Sequence, residues 1–220
     1  MPTVAEMDLT SAPLERPLGG LGKRVFDAAV AVCAILLLLP LLGVVALVIR
    51  LTDKGPIFFS HKRMGFGGTS FRCWKFRTMS VDGSRILAEH LARDASAALE
   101  WAQTQKLRDD PRVTPIGRFL RASSLDELPQ LWNVVCGEMS LVGPRPIVES
   151  EAGHYGRAIR FYMSVRPGLT GLWQVSGRSG TTYRRRVALD KAYVVRWSFG
   201  KDVLILFKTI PAVLLAKGSW

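Results

Sequence analysis

The chain of 220 residues has only three cysteines, Cys33, Cys73 and Cys136. The number is odd, and no C-x-x-C pair or Cys/His cluster has metal-ligand spacing. This argues against a disulfide framework and a zinc site, and for a reducing compartment. A chain of this length needs no such staple to hold a core, and suggests one domain with at most a short appendage. Acidic residues are also scarce, 18 against 30 basic, for a net charge of +12. Apolar residues are not: 48% of the chain is hydrophobic. That excludes a basic disordered tail of the kind that wraps nucleic acid, which would be depleted in apolar residues. A chain both basic and apolar points first to a membrane surface and second to a basic soluble binder.

The charge is uneven. Residues 151–220 hold twelve basic and three acidic groups, whereas residues 1–50 and 101–150 are each neutral overall. Arg157, Arg160 and Arg184-Arg185-Arg186 are interleaved with Tyr and Phe rather than set among Glu, which favours a binding surface over a merely solvated one.

From Ala28 to Ile49 there are 22 residues without a charge. As a straight helix they would extend about 33 Å, enough to cross a bilayer core. Cys33, inside the run, reads as a small hydrophobe. Residues 1–20 contain Glu6, Asp8 and Glu15 among prolines, and no small-residue cleavage site follows the run, so a leader is expected there rather than a signal peptide. Basic residues flank both ends: Lys23 and Arg24 before, Arg50 and Lys54 after. The positive-inside rule would keep both ends on the cytoplasmic side. A helix broken at Pro40, with Gly43 just beyond, would achieve this by entering and leaving one leaflet. The alternative is an ordinary single span.

Downstream, residues 57–61 and 70–76 are aromatic-rich runs around Gly65, Gly67 and Gly68, which predicts a β-hairpin. Residues 84–107 have helical apolar spacing and read as an amphipathic core helix. Asp126-Glu127 has Arg112, Arg118 and Arg121 before it and Arg145 after it. Arginines beside a carboxylate keep it ionised, so the pair suits a nucleophile, a base or a metal ligand. Ser124-x-x-Glu127 is equally a helix capping box, although Pro129 fits that poorly. Spacing leaves both open. Pro144-Arg145-Pro146 fixes an arginine where it could grip phosphate. Arg166–Arg178 is a loop dense in Gly and hydroxyls, a composition that favours ligand binding. Val203–Ala216 is apolar but interrupted by Lys208 and Pro211. It fits an interfacial helix, with Trp197 and Trp220 as anchors.

Lys23-Arg-Val-Phe-Asp27, Gly55-Pro-Ile-Phe-Phe, Lys75-Phe-Arg-Thr-Met79, Asp110-Pro-Arg-Val-Thr114, Ser124-Leu-Asp-Glu-Leu-Pro-Gln130, Met139–Pro146 and Arg166–Gly177 together resemble the bacterial sugar transferase family. These are monotopic polyprenyl-phosphate phosphoglycosyl transferases, and the chain's size is similar to the exopolysaccharide-initiating branch. The resemblance implies transfer of a sugar-1-phosphate from a UDP-sugar, with galactose or glucose usual, to undecaprenyl phosphate. UMP would leave, at the cytoplasmic face of the inner membrane, with no nucleic-acid partner. It implies Asp126 as covalent nucleophile, with Glu127 and Asp126 at Mg²⁺. Arg121, Arg145, Lys75, Arg77 and Arg112 would lie at phosphates, and Thr170, Trp173, Gln174 and Arg178 in the donor region. In one departure, Leu39 precedes Pro40 where the family often has Ser, which removes a hydroxyl that could satisfy the freed backbone.

The expected fold is α+β and mainly helical. It comprises a leader over 1–20, a re-entrant membrane helix over 21–52, a cytoplasmic catalytic domain over 53–200 with a small β-hairpin, and an interfacial helix over 201–220. The competing function is a non-enzymatic, membrane-tethered basic module that binds anionic lipid or nucleic acid.

Overall fold

A computed structural model of the chain describes residues 16–177 and 182–214. Most of the expected leader and Trp220 therefore lie outside the described residues. The apolar run forms α1, Gly20–Thr52, one continuous helix with Pro40 inside it. The expected break is thus not a gap in the helix. Proline removes one backbone donor, and the surrounding Leu, Val and Ala residues carry the helix across it. α1 is long and apolar enough to cross a membrane.

The predicted hairpin is present. β1, Phe58–Met64, pairs antiparallel with β2, Ser70–Phe76, from Phe58 opposite Phe76 to Met64 opposite Ser70. The expected single helix over 84–107 is instead two, α2 (Gly83–Arg93) and α3 (Ala95–Thr104). Asp94 divides them: it ends α2 and caps α3 by accepting from the Ser96 and Ala97 amides. These helices are not core. α2 buries no residue, α3 buries only Ala97, and Leu99 is exposed.

α4, Pro115–Ala122, and α5, Gln130–Cys136, flank a 3₁₀ turn at Leu125–Glu127. A second sheet, absent from the sequence reading, pairs β3 (Ser140–Val142) in parallel with β4 (Gly168–Thr170). A 3₁₀ stretch at Glu149–Ala158 and α6, Ile159–Met163, connect the two. α7, Tyr183–Val195, and α8, Phe199–Leu214, follow.

Three apolar clusters hold these parts together. One joins Ala31 of α1 to Phe71 and Cys73 of β2, Leu131 and Val134 of α5, Leu141, Tyr193 and Ile205. A second joins Met64, Ile147, Tyr155 and Tyr162. The third joins Val45 and Ile49 of α1 to Phe76 and Leu120. The first half of α1 therefore packs on one cluster and its last turns on another.

A buried polar network adds to the first contact. Lys23 Nζ reaches Asp202 Oδ2 at 2.6 Å, and Asp202 also accepts from Tyr193 Oη at 2.7 Å and Trp197 Nε1 at 3.0 Å. Asp27 accepts from Ser140 Oγ at 2.6 Å. Trp197, expected as an interfacial anchor, is half-buried and donates its indole N–H to this network.

Candidate active site

The segment Leu125-Asp-Glu-Leu128 places its acids by means of its leucines. Leu125 packs with the Phe76–Leu120 cluster and Leu128 with the Val134–Leu141 cluster. A 3₁₀ turn brings residues three apart into line, so the two leucines fix Asp126 and Glu127 between them. The chain enters this turn from α4 through Ser124 at φ 58°, left-handed for a non-glycine residue. Ser124 makes no side-chain cap bond, so the capping box is not formed. Strain of this kind persists where surrounding packing over-determines the backbone, and it concentrates at functional sites.

α4 approaches the segment just after β2 closely because it carries Gly117: a methyl there would lie 2.0 Å from the Thr78 carbonyl oxygen. This contact aligns Arg121, whose Nε donates to Thr78 Oγ1 at 2.9 Å.

Asp126 is 7% exposed. Lys75 faces it from β2. Alternation along that strand puts Lys75 on the same side as buried Phe71 and Cys73. Its Nζ lies 2.7 Å from Glu127 Oε1 and 3.5 Å from Asp126 Oδ2. Arg145 Nη1 lies 3.7 Å from the same Glu127 oxygen. The two carboxyls are driven apart. Burial pushes Asp126 above the ordinary aspartate value, with Lys75 opposing and Glu127 adding to the rise. Burial also works to raise Glu127, but Lys75 and Arg145 outweigh it and hold that carboxyl down to about 2. One permanently ionised carboxylate thus sits beside a second that is harder to ionise, as in sites that assign the two different roles.

The other basic residues expected here divide. Arg121 is near enough to favour ionised Asp126. Arg77 is buried and bonded to Asp53, at 2.9 Å to its Oδ2 and 2.7 Å to its carbonyl oxygen. Arg112 chelates Asp110 at 2.6–3.1 Å and lies over the Trp101 ring. Thr170 is buried, with Oγ1 2.7 Å from Thr209 Oγ1. Gln174 Nε2 donates to the Leu169 carbonyl at 3.4 Å. Trp173 is buried beneath the guanidinium of Arg186. Arg178 lies outside the described residues.

Two residues that place this site were not singled out from sequence. Asn133, fully buried, accepts from the Trp74 amide at 3.0 Å and donates to the Arg72 carbonyl at 2.7 Å. It locks α5 to the strand that carries Lys75. Arg63 donates to the Pro146 carbonyl at 3.4 Å and pairs with Glu151 at 3.7 Å, steadying the backbone beside Arg145. A polar residue on an otherwise apolar helix face was the available signal for Asn133.

Residues 19–216 match the description of bacterial sugar transferases. The chain belongs to that family. The Sinorhizobium fredii exopolysaccharide production protein ExoY is 52% identical over 205 residues, 93% of this chain and 91% of the relative. The Caulobacter vibrioides UDP-glucose:undecaprenyl-phosphate glucose-1-phosphate transferase is 41% identical over 216 residues, 94% of this chain and 75% of its own. The Salmonella typhimurium undecaprenyl-phosphate galactose phosphotransferase is 45% identical over 90% of this chain, which spans 41% of that relative. This sugar transferase is accordingly an enzyme, of the phosphoglycosyl transferase type, and the non-enzymatic binding module is set aside.

Proposed function

We propose that the protein moves a sugar-1-phosphate from a UDP-sugar to undecaprenyl phosphate, releasing UMP, as the first membrane step of exopolysaccharide or capsule synthesis. The names of its relatives support this acceptor, and galactose or glucose as the sugar. The observation that carries the mechanism is Asp126, buried in a strained turn and faced by Lys75.

In the first step an Asp126 carboxylate oxygen attacks the phosphorus that bears the sugar. The bond from that phosphorus to the bridging oxygen breaks, and the oxygen leaves on UMP. In the second, a phosphate oxygen of the polyprenyl acceptor attacks the same phosphorus, and the bond to Asp126 breaks. Dividing the transfer in two predicts ping-pong kinetics. Lys75, Arg145 and Arg121 offset the charge of two phosphates approaching a carboxylate.

No group of three or more His, Cys, Asp or Glu side chains assembles among the described residues. Two adjacent carboxylates nevertheless fit Mg²⁺, which commonly takes one or two from a protein and the rest of its shell from water and substrate phosphates. Glu127, the more acidic of the pair, and Asp126 would hold it. When bound it would neutralise diphosphate charge.

The same reading places the enzyme on the cytoplasmic face of the inner membrane with α1 re-entrant. Asp27 and Ile49 lie about 33 Å apart along a straight helix, yet both pack on the same folded body. Between them Leu36, Leu37 and Leu39 are exposed. A straight span would draw that body, with its ion pairs, through the bilayer core. A helix bent at Pro40 that dips only those exposed leucines into one leaflet, with both ends on the same side, would not. α8 would lie at the interface through exposed Leu204, Phe207 and Ile210.

Purified protein supplied with UDP-sugar, Mg²⁺ and undecaprenyl phosphate should release UMP, and Asp126→Asn should abolish release while leaving the protein membrane-bound. Full activity in Asp126→Asn would sink the nucleophile assignment.

A further inference from the structure

Among the described residues, five buried side-chain polar atoms have no hydrogen-bond partner: Arg77 Nε, Trp173 Nε1, Gln174 Oε1, Tyr183 Oη and Arg186 Nε. Folded proteins leave few such groups, and each asks for an explanation. Three of the five are donors in one cluster. The Arg186 guanidinium carbon lies 4.2 Å from the Trp173 ring centroid and 5.0 Å from that of Tyr183. Two aromatic faces therefore hold the cation while its donors remain unmet. Trp173, at 6% exposed, offers its indole N–H from the interior.

The loop that carries Trp173 starts beside the segment that carries Arg145. On one side, the Gly143 amide donates to the Thr170 carbonyl at 2.9 Å. A methyl on Gly171 would lie 2.2 Å from the Gly143 carbonyl oxygen, so the loop leading to Trp173 touches this backbone. On the other side, Tyr183 packs against the apolar cluster that contains Ile147. The Trp173 loop thus leaves from backbone two residues before Arg145, while Tyr183 is held against the His154 and Tyr155 rings. Arg145 itself reaches toward Glu127.

We propose that Arg186 is a phosphate-binding residue of the donor site. With the Trp173 indole N–H and the Tyr183 hydroxyl, it would take a phosphate of a nucleoside-diphosphate donor. This rests on the transferase reading above. The chemistry favours an anion, because the guanidinium and the indole N–H can only donate and the guanidinium carries a charge, although the Tyr183 hydroxyl and the unpaired Gln174 Oε1 can also accept. Asp190, one turn along α7, does not neutralise the guanidinium in contact. It accepts from Tyr155 Oη at 2.8 Å and meets Arg186 only as a nearby charge that opposes the rise burial imposes on its carboxyl. The first turn of α7 contains no acid, although Arg184 and Arg185 stand beside Arg186 at the helix end that disfavours cations. Aromatic faces suit a guanidinium, leaving its planar edge free for phosphate oxygens. The leaving nucleoside monophosphate gains negative charge as the bridging bond breaks, so a fixed cation there assists departure.

The test is equilibrium binding of UDP and of uridine by calorimetry, with full-length protein in detergent. Wild type should bind UDP. Arg186→Gln should weaken UDP about tenfold or more and leave uridine unchanged. Tyr183→Phe keeps the ring and the fold but removes the hydroxyl, and should weaken UDP several-fold. Unchanged UDP affinity in both variants would overturn the proposal, as would equal losses for UDP and uridine, the pattern of a structural role. Loss of binding to anionic phosphatidylglycerol vesicles with UDP affinity intact would move the phosphate from donor to lipid and overturn it too. A wild type that ignores UDP would bring down the nucleotide-donor reading itself.

Discussion

Lys75 touches both members of the acid pair, at 2.7 and 3.5 Å, and so favours the ionised form of each. As the proposed nucleophile Asp126 would have to be ionised to attack, yet burial already raises its pKa. Lys75→Met removes the main opposing influence. The acid limb of the kcat/KM profile, which reports the free enzyme, should therefore move to higher pH, with at least a tenfold loss at pH 7. An acid limb that stays in place would show that Lys75 does not tune Asp126. The sign for stability is opposite at Glu127. Its folded pKa lies below the ordinary value, so its contribution is present above about pH 4.5 and is lost as pH falls toward about 2. Lys75 came to the site only through the family resemblance, although the alternation Phe71–Cys73–Lys75 places it on the buried side of the strand. Arg77 was not legible as the partner of Asp53, because that pair joins the end of α1 to the end of β2. Arg112 with Asp110 is a local pair two residues apart, and its spacing already permitted the observed chelation.

At the scale of elements, Asn133 ties α5 to β2 and so sets where Lys75 stands relative to the acid turn. Asn133→Ala would leave the part-buried Trp74 amide and Arg72 carbonyl without this partner, a loss of about 1–3 kcal/mol. Thermal unfolding should show the lowered stability. In the folded fraction kcat should fall more than donor KM rises, since the chemistry and not the donor contacts is displaced. An Asn133→Ala enzyme of normal kcat would mean that the strand holds its register without this link. The hairpin was readable because two aromatic runs enclose glycines. The helix over 84–107 was misread at one residue, since Asp94 can end one helix and cap the next without disturbing apolar spacing. β3 and β4, three residues each, are set by packing against α1 and α8 and leave no periodic pattern in the sequence.

For the whole molecule, α1 acts less as a tether than as part of the fold. Its first half shares a cluster with α5 and α8, and its last turns share another with Phe76 and Leu120. Reporters fused at Met1 and Trp220 should both read as cytoplasmic; a periplasmic N-terminus would restore a single span. Composition had already indicated a basic chain at a lipid surface. What it left out was the site itself, because its basic and acidic groups balance locally and add nothing to the net charge. The proposed transfer turns above all on Asp126 as the residue that carries the phosphosugar. Incubating the full-length enzyme with UDP-sugar alone, quenching, and mapping the modified peptide by mass spectrometry tests this directly. The prediction is one phosphosugar on the peptide containing Asp126, absent from Asp126→Asn and lost when undecaprenyl phosphate is added. UMP release that requires the acceptor, with no adduct at any time, would contradict it.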